Sequence, residues 1–148
     1  MPDGQIADFY VKEEVNACCI LALNDKNEVI LVEQFRPGPN KILLELPGGS
    51  VERGHTPLEA IGEELISETG YDGDIEFVVE CQMEGYAQRK KYCYVALNCK
   101  RVANQKLESR EFIEVKLMNL AKFREHLKSG QLTDVEVGYL GLDYLGLL

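Results

Sequence analysis

The chain has no tryptophan, two histidines and five prolines among its 148 residues. His55 and His126 stand far apart in sequence and no Cys-x-x-Cys pair accompanies either, so nothing has the spacing of a zinc site. Basic residues are scarce as well: 16 Lys and Arg face 25 Asp and Glu, a formal charge of -9. A nucleic-acid backbone is gripped by clustered Lys and Arg, so no nucleic-acid polymer is expected as a partner. A small phosphorylated ligand remains compatible with this charge when a divalent cation lies between the two negative groups. No apolar run reaches the roughly 18 to 20 residues of a membrane span. Residues 1–10 lack the basic-then-apolar layout of a secretory leader, so no membrane partner is expected and a cytoplasmic location is.

What is present describes one folding unit. Apolar residues make up 45% of the chain, and a chain of this length buries roughly two-thirds of its unfolded surface, so neither a disulfide nor a structural metal is needed for stability. Repeats, low-complexity tracts and linkers are absent, and a single domain over 1–148 is expected. The five cysteines are an odd count. Cys18, Cys19, Cys93 and Cys99 fall inside apolar runs and Cys81 near the end of another, which predicts buried free thiols.

Residues 15–23 and 28–35 are rich in Val, Ile and Leu and flank Asn24-Asp25-Lys26-Asn27, which predicts a hairpin. Arg36-Pro37-Gly38-Pro39-Asn40 predicts an irregular turn, 42–46 a short extended run, and Pro47-Gly48-Gly49 its end. A helix is expected over Pro57–Thr69, with Thr56 as N-cap, Pro57 in the first helical position, Glu59 completing a capping box and Gly70 closing it. Further strands are expected over 75–79, 91–98 and 111–117, and a helix over Leu120–Ser129 stopped by Gly130. Thr133 and Glu136 read as a second capping box, opening a last helix that Gly138, Gly141 and Gly146 weaken. The fold class is therefore α+β, a mixed sheet covered by helices.

The first helix carries the candidate chemistry. At 100° per residue, Leu58, Ile61, Gly62 and Leu65 form one stripe, and Glu64 and Glu68 lie along its edge, facing the seam between helix and sheet. Two carboxylates about 6 Å apart repel by roughly 3 kcal/mol at an effective dielectric near 20, a cost that a bridging Mg2+ or Mn2+ reverses. A merely solvated acidic face is the alternative. Leu44-Glu45-Leu46-Pro47-Gly48-Gly49, followed by Gly54, favours the metal, because glycine brings bare carbonyls beside the same helix.

This stretch resembles the signature box of the Nudix family: Gly, five residues, Glu, seven residues, Arg-Glu, an aliphatic residue, any residue, Glu-Glu, any residue, Gly and a further aliphatic or similar residue. Here it reads Gly49, His55, then Glu63-Glu64-Leu65-Ile66-Ser67-Glu68-Thr69-Gly70-Tyr71, with spacing kept throughout. His55 replaces the first Glu, Glu63 the Arg, and Ser67 the first Glu of the pair. Val32-Glu33-Gln34-Phe35-Arg36-Pro37, the 44–49 segment, Glu111-Phe112-Ile113-Glu114-Val115 and Ser129-Gly130-Gln131-Leu132-Thr133-Asp134 look like the ADP-ribose and nucleotide-sugar pyrophosphatase branch.

The resemblance implies an α/β/α sandwich and a metal-dependent pyrophosphohydrolase that splits a nucleoside diphosphate linked to another moiety, ADP-ribose-like or a nucleotide sugar. It implies Glu64, Glu68 and the Gly48 carbonyl as ligands of Mg2+ or Mn2+. A further acid usually comes from a loop across the cleft, and Glu108 and Glu111 are the candidates for that ligand or for the general base, unless Glu111 simply begins a strand. Arg36 is a candidate phosphate or ribose contact, with a surface ion pair as the alternative. Glu45 either recognises substrate hydroxyls or pairs with a basic neighbour, and His55 is expected to be structural.

The departures from the box support a second reading, a degenerate Nudix-like domain that binds a nucleotide or a protein without efficient hydrolysis. The family Arg orients the helix carboxylates, a support whose loss typically costs 10 to 100-fold. Ser67 offers a neutral oxygen where a carboxylate often binds metal. That branch also often carries a proline about fifteen residues after the box, whereas here that position is near Tyr86 and no proline follows Pro57, so substrate identity is weakly constrained. The chain begins just before its first strand; a homodimer exchanging N-terminal segments is not expected, and any other homodimer stays open.

Overall fold

A computed structural model describes residues 1–148. Its centre is β1 (Ala17–Asn24), in which all eight residues are buried. Side chains alternate across a strand, so a strand buried throughout must be covered on both faces. Cys19, Leu21 and Leu23 pack with Phe123, Leu127, Val137 and Leu142 on one face. Cys18, Ile20 and Ala22 pack with Ala60, Ile61 and Leu65 on the other. The first group of partners belongs to α2 (Leu120–Ser129) and α3 (Val135–Tyr144), the second to α1 (Pro57–Thr69). The result is the expected α/β/α layering, and no helix is long and apolar enough to cross a membrane.

The expected hairpin joins β1 to β2 (Glu28–Arg36), with Ala22 opposite Ile30. Asn27 adopts φ 56°, the left-handed conformation that Asn tolerates in a tight turn. Beyond that hairpin, β2 pairs antiparallel with β3 (Lys41–Glu45) and with β7 (Ile113–Asn119). The short β4 (Gly48–Ser50) lies antiparallel to the start of β1, and β6 (Lys90–Arg101) runs parallel to β1. β5 (Tyr71–Gln82) completes the mixed sheet on the outer edge of β6.

Beyond shifts of a few residues at the ends of β1, β3 and β6 and the unexpected short β4, three features differ from expectation. β5 extends well beyond 75–79 at both ends. It is an edge strand whose register shifts twice against β6, which breaks the apolar alternation that marks a strand in sequence. β7 begins at Ile113, so Glu111 belongs to the preceding loop. The second capping box does not form: Asp134 is the N-cap of α3 and makes no side-chain cap bond. Thr133 instead donates to Glu45 and Glu136 pairs with Lys91, tertiary contacts that displace the local ones.

The glycines of α3 also gain a reason. A Cβ at Gly138 would lie 2.4 Å from Leu127 Cδ2, and one at Gly141 2.8 Å from Leu21 Cδ2. Their absent side chains let α3 lie close on α2 and β1, at a cost in helix propensity. All five cysteines are free thiols, with Cys81 only half-buried.

Candidate active site

The start of α1 is built by local chemistry alone. Thr56 Oγ1 accepts from the Glu59 N–H and Glu59 Oε2 accepts from the Thr56 N–H at 2.8 Å, closing the capping box. Gly70 ends the helix at φ 76°, its N–H donating to Ile66 O at 2.8 Å. A helix fixed at both ends, with Ile61 and Leu65 fully buried, has a fixed rotation about its axis. Glu64 and Glu68 then meet the backbone of β4.

Glu68 is buried and its Oε2 accepts from the Gly48 N–H at 3.0 Å. Glu64 lies against Gly49, where a Cβ would stand 2.2 Å from its Oε1, so a side chain at 49 would displace the carboxylate from this position. The Gly48 carbonyl is not paired with β1, for the same reason that the Gly48 N–H is available to Glu68. Ile20 N–H donates to Pro47 O and Val51 N–H to Asn16 O, so the antiparallel alternation leaves Gly48, opposite Cys19, with both polar groups turned away from β1.

Both carboxylates resist ionisation. Burial, then the negative charges of Glu111, Glu108, Glu52 and Glu63, push the Glu64 pKa up to about 7. Burial raises Glu68 to about 8, opposed by the Gly48 N–H and Arg36 and reinforced by Glu64 and Glu111. Neither carboxylate has an ion-pair partner, and a hard cation would relieve that burial and repulsion. Side chains alone do not make the cage, since no three His, Cys, Asp or Glu residues converge as a metal site. Two carboxylates and the Gly48 carbonyl are the oxygen donors that fit a cation keeping several waters. Cys18 Sγ lies 3.6 Å from Gly49 O, and burial holds its pKa up at about 11, so it is a neutral thiol at this edge.

The 102–112 loop reaches the same carboxylates. Gln105 Nε2 donates to Glu68 O at 2.6 Å and to Ile113 O at 3.1 Å, and the Lys106 N–H donates to Ser67 O at 2.8 Å, which ties the loop to the end of α1. Glu111 is half-buried and accepts from the Glu108 N–H at 2.8 Å, while Glu108 is exposed. Both raise the Glu64 pKa, so both face it electrostatically.

Arg36 and Glu45 form a pair: Arg36 Nε donates to Glu45 Oε2 at 2.6 Å. Glu45 is fully buried and its Oε1 accepts from Thr133 Oγ1 at 2.6 Å, so both of its oxygens are engaged. Of the altered box positions, Ser67 donates to Glu64 O within its own helix at 3.3 Å. His55 and Glu63 approach each other to 3.9 Å on the exposed side of α1.

A cavity of about 390 Å3 crosses this end of the sheet, lined by Gly48, Gly49 and Ser50 together with Arg36, Arg89 and Lys91. Two of these cations had no sequence signal. Lys91, the first residue of the strand expected over 91–98, is buried, with Asp134 Oδ1 at 2.5 Å and Glu136 as a second partner. Arg89 precedes β6, and its Nε is enclosed without a hydrogen-bond partner.

A family model described as the NUDIX domain matches residues 12–137. A Bacillus methanolicus protein named methanol dehydrogenase activator is 26% identical over 150 residues, spanning 99% of this chain and 80% of its own. An ADP-ribose pyrophosphatase of Bacillus subtilis is 25% identical over 150 residues with the same coverage, 99% and 80%. A mouse ADP-sugar pyrophosphatase is 49% identical over a shorter stretch of 53 residues, 36% of this chain and 23% of that one. A crystal structure of an ADP compounds hydrolase superposes with a TM-score of 0.74 over 90% of this chain and 75% of that chain at 21% identity, a likeness of fold.

Proposed function

The chain belongs to the NUDIX domain family, and on that premise we propose that it is a divalent-metal-dependent hydrolase of the phosphoanhydride bond in a nucleoside diphosphate linked to a second moiety, an ADP-ribose-like compound or nucleotide sugar. The observation that carries this reading is the pair Glu64 and Glu68, buried against the Gly48-Gly49 backbone with both pKa values raised and no ion-pair partner. Glu64, Glu68 and the Gly48 carbonyl hold the cation, Mg2+ or Mn2+. When bound, such a cation neutralises diphosphate charge and lowers the pKa of its water.

The chain's own groups supply the rest. Arg36, anchored through Nε by Glu45, keeps its remaining N–H groups for phosphate oxygens. The burial of Glu45 supports a holding role over direct recognition of substrate hydroxyls. Glu111, half-buried on the tethered loop, takes the proton of the attacking water or supplies a further oxygen ligand, and exposed Glu108 fixes it by a backbone hydrogen bond.

With Mn2+ or Mg2+ the purified protein is expected to cleave ADP-ribose or a related diphosphate. Removing one cation ligand forfeits several kcal/mol of transition-state stabilisation, so Glu68→Gln should lower kcat/KM by roughly 10^2 to 10^4-fold. No turnover across a broad diphosphate panel, or no effect of Glu68→Gln, overturns the reading. A second reading, a domain that binds a nucleotide or a protein partner with little hydrolysis, is favoured by Ser67, whose hydroxyl is engaged within α1, and by the relative named as a dehydrogenase activator. Calorimetry showing tight diphosphate binding without product selects it.

A further inference from the structure

Three cations line the cavity at the sheet end, and two already have carboxylate partners. Arg36 Nε is held at 2.6 Å by Glu45, and Lys91 is shared by Asp134 and Glu136. Arg89 has no ion-pair partner, and its Nε is enclosed with nothing to accept its proton. An enclosed donor left without an acceptor is unfavourable, and a guanidinium fork is matched best by anionic oxygens. Arg89 is therefore the one cation lining the cavity that has no carboxylate partner.

Its position is set by strand register. Ala17 of β1 stands opposite Ser50 of β4 on one edge and Lys91 of β6 on the other. Gly48-Gly49 and the start of β6 thus lie two strand spacings apart, about 10 Å. An anhydride seated beside Glu64, Glu68 and the Gly48 carbonyl occupies one side of the cavity, with Arg36 as its cation. Arg89, two residues before Lys91, serves the other side.

Resting on the hydrolase reading above, we infer that Arg89 binds a second anionic oxygen group on the substrate, so that the preferred class is a nucleoside diphosphate whose linked moiety itself carries a negative charge. Arg89 is then a specificity-determining residue, remote from the scissile bond. The matched probes are ADP-ribose and ADP-ribose bearing a phosphate on its terminal ribose. Their affinity ratio is measured by calorimetry in EDTA, where no ligand is consumed, and their kcat/KM ratio with Mn2+. The unmodified protein is expected to favour the phosphorylated ligand by about tenfold or more, and Arg89→Gln to bring that ratio close to one. Because Arg89 has no ion-pair partner to lose, the variant is expected to fold, which its melting temperature checks.

Equal affinity of the unmodified protein for the two ligands overturns the inference. So does an Arg89→Gln variant that weakens both ligands by the same factor, since that places the guanidinium on the shared diphosphate. Arg36→Gln, by contrast, should weaken both ligands alike. A protein that neither binds nor cleaves either ligand overturns the hydrolase reading, and this inference with it.

Discussion

On the α3 side of the sheet end, Asp134 and Glu136 share the ammonium of Lys91; on the α1 side, Glu64 and Glu68 press together against β4 with no ion-pair partner. Burial alone would favour neutral Lys91, yet the two carboxylates outweigh it and its pKa is raised. Burial and like charge act together on Glu64 and Glu68, so those groups drift towards neutrality. The same sheet therefore carries one acidic group paired from within and another with no ion-pair partner. Structural networks are satisfied by the chain, whereas sites are left for a ligand.

The comparison breaks most visibly at Lys91. Replacing it with Met keeps much of the stem but leaves Asp134 and Glu136 facing each other at the start of α3. Breaking a fully buried pair costs about 3 to 5 kcal/mol. The Glu136 side chain is 44% exposed, so a loss nearer 2 to 3 kcal/mol is expected in urea unfolding. A change below ~0.5 kcal/mol would mean that the Lys91 group does not hold α3 to the sheet.

The α1 side predicts an effect of the other sign. Glu64 and Glu68 have native pKa values raised to about 7 and about 8 from the ordinary 4.5. Between pH 4.5 and 8 the native protein keeps protons that the unfolded chain has released, so metal-free stability should fall as pH rises through that window and level off above it. Glu68→Gln retains an acceptor for the Gly48 N–H and removes the charge. Metal-free unfolding of that variant should show a shallower fall and a gain of at least ~1 kcal/mol at pH 8. Added Mn2+ should raise the melting temperature of the unmodified protein more at pH 8 than at pH 5, because the ligands must be deprotonated. A stability that rises with pH in the absence of metal would contradict the raised values.

Legibility in the sequence followed the range of the forces involved. The α1 boundaries rest on Thr56, Pro57, Glu59 and Gly70, all within the helix or next to it, and the helix is found over Pro57–Thr69 as expected. The Glu64 and Glu68 edge was readable because helical geometry fixes it once the apolar stripe is known. The second capping box does not form because Thr133 and Glu136 have distant partners, 88 residues away at Glu45 and 45 residues away at Lys91. Arg89 and Lys91 carried no signal for the same reason: neither the enclosure of one nor the pairing of the other is visible until β1 brings β4 and β6 to either side of it.

Thr133 offers the finest test of the contrast, because replacing it removes one hydroxyl, shared between Glu45 Oε1 at 2.6 Å and Asp134 Oδ2 at 3.0 Å, and no charge. Thr133→Val preserves shape while depriving Glu45 Oε1 of its donor at 2.6 Å, leaving that buried carboxylate held through Oε2 by Arg36 alone. A hydrogen bond to a charged group is worth roughly 1.5 to 3 kcal/mol, but Thr133 is exposed and water can reach the vacated position, so a loss of about 1 kcal/mol is expected. Its second consequence separates holding from packing. If Glu45 fixes Arg36 for phosphate, the variant should raise KM for the diphosphate by about threefold with kcat unchanged, the signature of weakened ground-state binding. Lost stability with an unaltered KM would confine the Glu45 network to the fold and leave Arg36 without a positioning partner.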